Sequence, residues 1–393
     1  MKEYILKDIL FERKEYSEKG KEYKHVTLSK EGIVDKTERY NRDFLVKDEN
    51  KKYKITHLND ICFNPANLKF GVICLNIYGD AIFSPIYVTL ELKKKIKEDV
   101  DIEYLSYILT SRDFVDKARK YEQGTVYERM AVNSDDFLKM KITIPTIAEQ
   151  KKIVRIIKNV ESIISEKSRL IEIKRKQKKY YLELIFQNKN NLFVFNNIRL
   201  KKILEFQNGI NASSEKYGNG IKYISVMDIL NNTYIEYENI RGLVDVDNKT
   251  IENYKVSYGD ILFVRSSENL IDAGKSNVYM DEKKECVFGG FVIRGKKIEN
   301  YNPVYLKYVL ETDNVRKQMM KYAAGNQHVN IGQDSLKKVI IPYLNIQQQE
   351  KIANIFMKFD KEIEVISKEI NEYEKLKKGL MQQLLTGKIK VKI

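Results

Sequence analysis

Residues 144–153 read IPTIAEQKKI, and residues 341–352 read IPYLNIQQQEKI. The echo extends well beyond these junctions. LKDIL at 6–10 returns as LKKIL at 200–204, NDICF at 59–63 as GDILF at 259–263, and YLSYIL at 104–109 as YLKYVL at 305–310. Leu200 follows Leu6 by 194 positions and Tyr305 follows Tyr104 by 201; Gly124 and Gly325 keep that second offset. A period of about 195 residues means that one structural unit is built twice, and this constrains the fold more than any composition. The expected architecture is α+β with a pseudo-two-fold internal repeat.

Each unit reads as two parts. The first is mixed: KYISVMDI (222–229), DILFVRS (260–266) and CVFGGFVIRG (286–295) are short, β-branched or aromatic, and bounded by Gly, Asn or Asp, as strands are. A helix pattern follows over 104–121 and again over 303–322, where Pro303 suits a helix start. The second part is one long helix. Ile352, Phe356, Phe359, Ile363, Ile366, Ile370, Tyr373, Lys377, Leu380 and Leu384 alternate steps of four and three, an a/d seam broken only by Lys377, and Gly387 is placed to stop it. The first copy starts with Ile153, Ile157, Val160 and Ile164; Lys167, Lys174 and Lys178 then enter before Tyr181 and Ile185. About 35 residues of helix span about 50 Å. So long a helix with so narrow a stripe needs a partner, and the other copy is the natural one. The expectation is an antiparallel pair over about 148–186 and 347–386, with each junction proline closing a strand, the polar patch capping, and the isoleucine starting the helix. Domain limits are expected at 1–145, 146–190 (helix), 191–342 and 343–393 (helix).

Lys and Arg number 70 against 55 Asp and Glu, a net charge of +15 with pI about 9.2, which favours a polyanionic partner such as nucleic acid. No apolar run approaches the roughly 18 residues of a membrane span. Charges inside MKEYILKDIL argue against a signal peptide, and Cys62, Cys74 and Cys286 form no CxxC pair. A cytoplasmic protein with reduced thiols is expected.

This constellation resembles the specificity (S) subunit of type I restriction–modification enzymes. The resemblance covers essentially the whole chain: two mixed α/β target-recognition domains joined by two long antiparallel coiled-coil helices. Its most specific elements are Ile144-Pro145 with Glu149-Gln150 and Ile153, Ile341-Pro342 with Gln349-Glu350 and Ile352, and the C-terminal LKKGLMQQLLTGKIKVKI. The second junction is two residues longer and has Gln348-Gln349 where Glu-Gln is usual. The two recognition domains look like different subclasses, with FNPANLKFG and IFSPIYV in the first and QNGINASSEKYGNGIKYISVMDI and GKSNV in the second. The resemblance implies a non-catalytic subunit that reads a bipartite asymmetric site in double-stranded DNA. It implies helices that dock two methyltransferase subunits, restriction subunits as further partners, and no cofactor in this chain. S-adenosylmethionine and ATP would belong to the partners.

Motif by motif, catalysis is not written here. Gly274-Lys275-Ser276 lacks the glycine of a Walker A loop, since Asn269 occupies that place. A turn offering Lys275 and Ser276 to a DNA phosphate is the functional reading; a surface turn is the plain one. NPAN at 64–67 resembles the Asn-Pro-Pro-aromatic tetrapeptide of amino-methyltransferases, but Ala66 and Asn67 replace the residues that would grip a base. His25, His57 and His328 are too scattered for a metal site. The loops QGTVYER (123–129) and AGNQHVN (324–330) hold equivalent places and then diverge, as a fixed scaffold with a variable readout would. Candidate DNA-contacting residues are therefore Gly124, Thr125 and Arg129 in the first, and Gly325, Asn326, Gln327 and His328 in the second, with Arg265 and Ser266 of FVRSSEN as a separate candidate site. Lys174, Arg175, Lys176, Lys178 and Lys179 are further candidates for phosphate contact. The alternative from another class is a self-contained DNA-acting enzyme such as a nuclease, or a free-standing repressor.

Overall fold

The computed structural model describes residues 1–18, 22–35, 52–123, 131–187, 192–325 and 328–392. It divides into two compact units, Met1–Glu166 with Ile370–Ile393, and Lys167–Glu369. The fold is α+β. The central helix Ile147–Phe186 and the C-terminal helix Ile346–Leu384 each contribute one part to each unit.

The units share a frame. In the first, a four-stranded sheet runs Leu10–Glu12, Val88–Leu92, Ile61–Phe63, Ile73–Leu75; in the second, Leu204–Asn208, Val292–Lys297, Ile261–Val264, Ser276–Val278. A two-stranded antiparallel ribbon accompanies each, Lys2–Ile5 with Lys141–Ile144 and Asn196–Arg199 with Ile340–Tyr343. Equivalence reaches single hydrogen bonds. Asn59 has φ 70° and Gly259 has φ 86°, a left-handed conformation that Asn tolerates and Gly adopts freely. Their N–H groups donate to Asn76 and Tyr279 carbonyls, both at 2.8 Å. The next residue in each case is a buried aspartate that accepts a backbone N–H, Asp60 from His57 at 2.7 Å and Asp260 from Ser257 at 3.0 Å. Burial pushes both carboxyls above the usual aspartate range.

The helix pattern expected as one element per unit is two. Ile102–Leu109 and Arg112–Ala118 break at Ser111, whose hydroxyl donates to Ile108 O at 2.6 Å and accepts from Phe114 N at 3.3 Å. Pro303–Glu311 and Asp313–Tyr322 break at Thr312, whose hydroxyl donates to Val309 O at 2.7 Å. Such side chains compete with the helix ladder and turn the chain.

Outside this frame the units diverge. The first carries a five-stranded sheet in the order Tyr16–Glu18, Lys52–Thr56, Ala81–Phe83, Lys24–Ser29, Gly32–Asp35. The second carries a three-stranded sheet, Gly242–Val244, Tyr217–Ile224, Val287–Phe288, with helices Val226–Asn231 and Asn248–Tyr254. Cys62 and Cys74, distant in sequence, lie opposite each other on neighbouring strands as free thiols.

The long helices pair antiparallel within each unit. In the second, Lys167 meets Glu369 at 2.7 Å, Lys174 meets Glu362 at 2.7 Å and Lys178 meets Asp360 at 2.5 Å, so numbers rise on one helix as they fall on the other. Lys377 meets Glu161 at 2.7 Å in the first. Of the seam, Ile153, Ile157, Val160, Ile352, Phe356, Ile366 and Leu384 are buried, and Ile164, Phe359, Ile363, Ile370 and Leu380 are half-buried. The helix ends also enter the globular cores: Ile153, Ile157 and Leu384 pack with Leu6, Tyr104 and Phe137, while Leu182, Ile185, Ile352 and Phe356 pack with Leu200, Phe263 and Tyr305. Tyr181 lies at the edge of the seam, exposed but with its ring centroid 5.7 Å from that of Phe359, while Leu182 takes the buried place, with Ile171 buried as well. Two consecutive steps of four, Lys174 to Lys178 to Leu182, recover the drift of a straight 3.6-residue helix against a 3.5-residue repeat.

At the junctions the prolines are not equivalent. Pro145 follows the strand Lys141–Ile144, but Pro342 lies inside Ile340–Tyr343, opposite Asn197. Because Leu200 N bonds Val339 O, the ladder bonds fall on either side of Pro342, whose missing N–H faces outward and breaks none. Nor does the glutamine cap the helix. Thr146 and Glu149 form a reciprocal capping box, Glu149 Oε2 accepting Thr146 N at 3.1 Å and Thr146 Oγ1 accepting Glu149 N at 3.4 Å. In the second copy Gln348 stands where Glu149 would, and Asn345 Oδ1 alone caps, accepting Gln348 N at 3.0 Å. Gln150 and Gln349 are instead fully buried cross-ties. Gln150 Oε1 accepts Asp101 N at 2.8 Å, while its Nε2 donates to Asp99 O at 2.8 Å and Pro145 O at 2.9 Å. Gln349 accepts Asn302 N at 2.8 Å and donates to Leu344 O at 2.7 Å.

Candidate nucleic-acid interface

Both loops expected to carry readout are closed at the base in the same way. Gln123 and Ala131 exchange two backbone hydrogen bonds, at 3.0 and 3.1 Å; Ala324 and Asn330 exchange two, at 3.0 and 2.9 Å. The residue after each base is moored beyond a central strand: Val132 N donates to Pro65 O at 3.2 Å and Ile331 N to Arg265 O at 2.9 Å. The first loop encloses 124–130 and the second 325–329, so the frame is constant and the tip differs in length and sequence. Gly124, Thr125, Arg129, Asn326 and Gln327 lie outside the described residues. Gly325 has φ 138°, and a Cβ there would fall 2.0 Å from His328 O, so this turn requires glycine.

In the second unit the structure gathers candidates that the sequence separates. Ser266–Ser267 pairs antiparallel with Val329–Asn330, and Ser266 Oγ donates to Asn330 Oδ1 across a 64-residue separation. Arg265, Ser266, Gly325 and His328 thus share one surface. Arg265 N donates to Phe291 O at 2.9 Å and its Nη1 reaches Gly290 O at 3.3 Å, which brings the 289–291 turn alongside. Phe291 and Ile271 are each 68% exposed there.

Lys275 and Ser276 sit on the hairpin that follows. Val264 N donates to Lys275 O at 2.8 Å, and Ser276 lies opposite Phe263. Lys275 Nζ is held by Asp272 at 2.5 Å, and that hydrogen bond, with a second from Asn269, keeps the Asp272 carboxyl below its usual range. An exposed pair of this kind contributes about 0–1 kcal/mol, so a phosphate can compete for Lys275. The hairpin itself is fixed from behind: Arg316 Nη2 donates to Ile271 O at 2.8 Å and Ala273 O at 2.9 Å. Arg316, Asn330 and Phe291 were not among the sequence candidates. Arg316 gave no local signal, Asn330 closes the loop AGNQHVN without having been singled out in it, and Phe291, within CVFGGFVIRG, read as an ordinary strand residue.

On the central helix, Lys174 and Lys178 turn toward Glu362 and Asp360, whereas Arg175, Lys176 and Lys179 are exposed. Only the latter three are free of the helix pairing.

A duplicated frame with divergent sheets and tips has a counterpart among known proteins. The family model described as the type I restriction modification DNA specificity domain matches residues 6–175 and again 194–375. The chain belongs to the type I restriction modification DNA specificity family. Among curated members of this specificity family, it is 27% identical over 365 residues to the type I restriction enzyme MjaVIII specificity subunit of Methanocaldococcus jannaschii, covering 88% of this chain and 83% of that one. It is 26% identical over 365 residues to the putative MjaX specificity subunit of the same organism, covering 87% and 80%. Among solved structures, a chain from a type I R-M system studied for complex assembly and conformational transition superposes with TM-score 0.61 at 14% identity, over 98% of this chain and 97% of that one. The type I restriction–modification S subunit from M. genitalium superposes with TM-score 0.55 at 16% identity, over 98% and 95%. Among the described residues no helix is long and apolar enough to cross a membrane.

Proposed function

We propose that this specificity subunit reads a bipartite, asymmetric site in double-stranded DNA, with the part within 1–145 reading one half and the part within 191–342 the other. Chemistry lies elsewhere. The chain is a recognition subunit, and methyl transfer from S-adenosylmethionine and ATP-driven cleavage belong to methyltransferase and restriction subunits that assemble on it in the cytoplasm. The long helices, of 40 and 39 residues and so about 60 Å each at 1.5 Å per residue, act as ruler and platform, fixing the gap between half-sites and docking two methyltransferase subunits.

The observation that carries this reading is that one frame bears two different recognition sheets and two different loop tips. Identical units would read a symmetric site; unlike units read unlike halves. In the second half-site, Arg265, Asn326, Gln327 and His328 are the base-edge candidates and Lys275 and Ser276 the phosphate candidates; Gly124, Thr125 and Arg129 are their counterparts in the first. Methylation-sensitive sequencing of the native genome tests it. The expected result is one motif of two dissimilar half-sites at a fixed gap, abolished when this gene is deleted. A contiguous or palindromic motif dependent on this gene would overturn it.

A further inference from the structure

Of the four lysines that interrupt the seam, Lys178 and Lys377 are the same residue of the repeat, and each ends in the same three-part cluster. In the first unit Glu161 accepts Tyr107 OH at 2.8 Å and Lys377 Nζ at 2.7 Å. Asp360, in the second, accepts Tyr308 OH and Lys178 Nζ, with Tyr234 OH as a third donor. Tyr308 follows Tyr107 by 201 positions; Asp360 follows Glu161, and Lys377 follows Lys178, by 199. Each cluster therefore ties a lysine of one long helix to a carboxylate of the other and to a tyrosine from a globular helix of its own unit, Ile102–Leu109 or Pro303–Glu311. The second is the more enclosed: the Asp360 side chain is 8% exposed, against 35% for Glu161. Lys178 Nζ also lies 4.5 Å from the Tyr308 ring centroid, and burial pulls its ammonium below the usual lysine range.

A charge inside an apolar seam is satisfied only where its partner stands opposite, which is how a polar seam position specifies register. Sliding the helices by one heptad in either direction would put Lys178 opposite Ala353 or Ser367, and Lys377 opposite Val154 or Ser168, none of them acidic. The outer pairs do not discriminate in this way. After one slip Lys167 would find Glu362, and after the opposite slip Lys174 would find Glu369. Only the two clusters reject both.

We infer that Tyr107–Glu161–Lys377 and Tyr308–Asp360–Lys178 are gap-determining positioning residues: they lock the helix register and seat each globular part on it, so that the spacing between half-sites has one value. This rests on the proposed function. A heptad slip is about 10 Å of helix, about three base-pair steps at 3.4 Å, so a loosened register appears as additional spacings and leaves the bases read unchanged.

The test places Asp360→Asn, Glu161→Gln and the double variant at the native locus and reads genome methylation, with Asp360→Glu, which installs the other unit's carboxylate, as the conservative control. Expected is a tenfold or greater rise in methylation at sites whose gap differs by one to three base pairs, with half-site bases unchanged and Asp360→Glu like the parent. An unchanged spacing profile, or a uniform loss at every spacing, overturns the inference, because a merely structural role lowers activity evenly. A second readout needs no DNA. Spin labels on Lys179→Cys and Lys358→Cys in the full chain should give one distance in the parent and a broadened distribution with Asp360→Asn; an unbroadened one overturns the register lock. If the parent itself methylates no motif of fixed gap, the proposed function fails, and the label distances alone then decide the register claim.

Discussion

Replacing Gln150 with alanine removes no charge and little volume from the surface, yet should be among the most damaging substitutions in the first unit. The side chain is fully buried and holds three backbone groups, Asp101 N–H, Asp99 C=O and Pro145 C=O, at 2.8–2.9 Å. Alanine leaves all three without a protein partner, and an unsatisfied buried group costs about 1–3 kcal/mol. Asp101 caps the helix Ile102–Leu109 and lies partly within reach of water, so the total is about 3–5 kcal/mol. At about 2–4 °C per kcal/mol for a unit of this size, the thermal transition falls by roughly 6–20 °C. Gln150→Glu keeps the acceptor but aims a carboxylate oxygen at two carbonyls, and should do no better than alanine. Calorimetry of the full chain measures the shift, hydrogen exchange over 99–109 locates it, and Lys151→Ala, on the exposed neighbour, is the control. Gln349→Ala has two such bonds to lose and should cost about 2–4 kcal/mol in the second unit. A loss under about 0.5 kcal/mol for Gln150→Ala, the range of ordinary surface changes, would refute the cross-tie reasoning.

In the helix seam, Ile366→Asp puts a charge at a buried position and should cost on the order of 3–5 kcal/mol, while Val365→Asp on the exposed side stays within about 0.5 kcal/mol by denaturant titration. Burial pulls the His57 ring's pKa down, but hydrogen bonds to Asp80 at 2.9 Å and Glu15 at 3.3 Å outweigh it and hold it above its ordinary 6.5. The stabilisation is fully present below pH 6.5 and is lost as the pH rises through the higher folded value; His57→Gln should flatten that part of the stability–pH curve. Binding to duplex DNA, by the chain with its methyltransferase partner, should weaken with salt with a log–log slope of about −0.9 per phosphate contacted, and a flat response would contradict a nucleic-acid ligand.

The duplication was legible because the frame is encoded by short local signals that recur: a left-handed Asn59 or Gly259 before a buried aspartate, Tyr104 or Tyr305 opening a core helix, the glutamine at each junction. The long helices were legible from periodicity, although a 3.5-residue repeat extended over five turns pointed to Tyr181 where Leu182 is buried. Two kinds of information were not local. Pro145 and Pro342 look alike because both follow isoleucine, but strand register, set by Asn197 and its neighbours 145 residues earlier, puts one after a strand and the other within it. The convergence of Arg265 and Ser266 with the 324–330 loop depends on a strand pairing 64 residues apart, and no spacing in the sequence announces it. Strands of the second unit-specific sheet were read within KYISVMDI and CVFGGFVIRG, but their pairing into separate sheets was not anticipated, since partners such as Gly32–Asp35 and Gly242–Val244 are too short to carry a period.

The central claim is that the two units are separate readers carried on one frame. Exchanging residues 191–342 for the equivalent segment of another member of the specificity family, and sequencing the methylated genome, measures it most directly. One half-site should change, while the other half-site and the gap stay as they were. A swap that altered both half-sites, or that left both unchanged, would contradict the account.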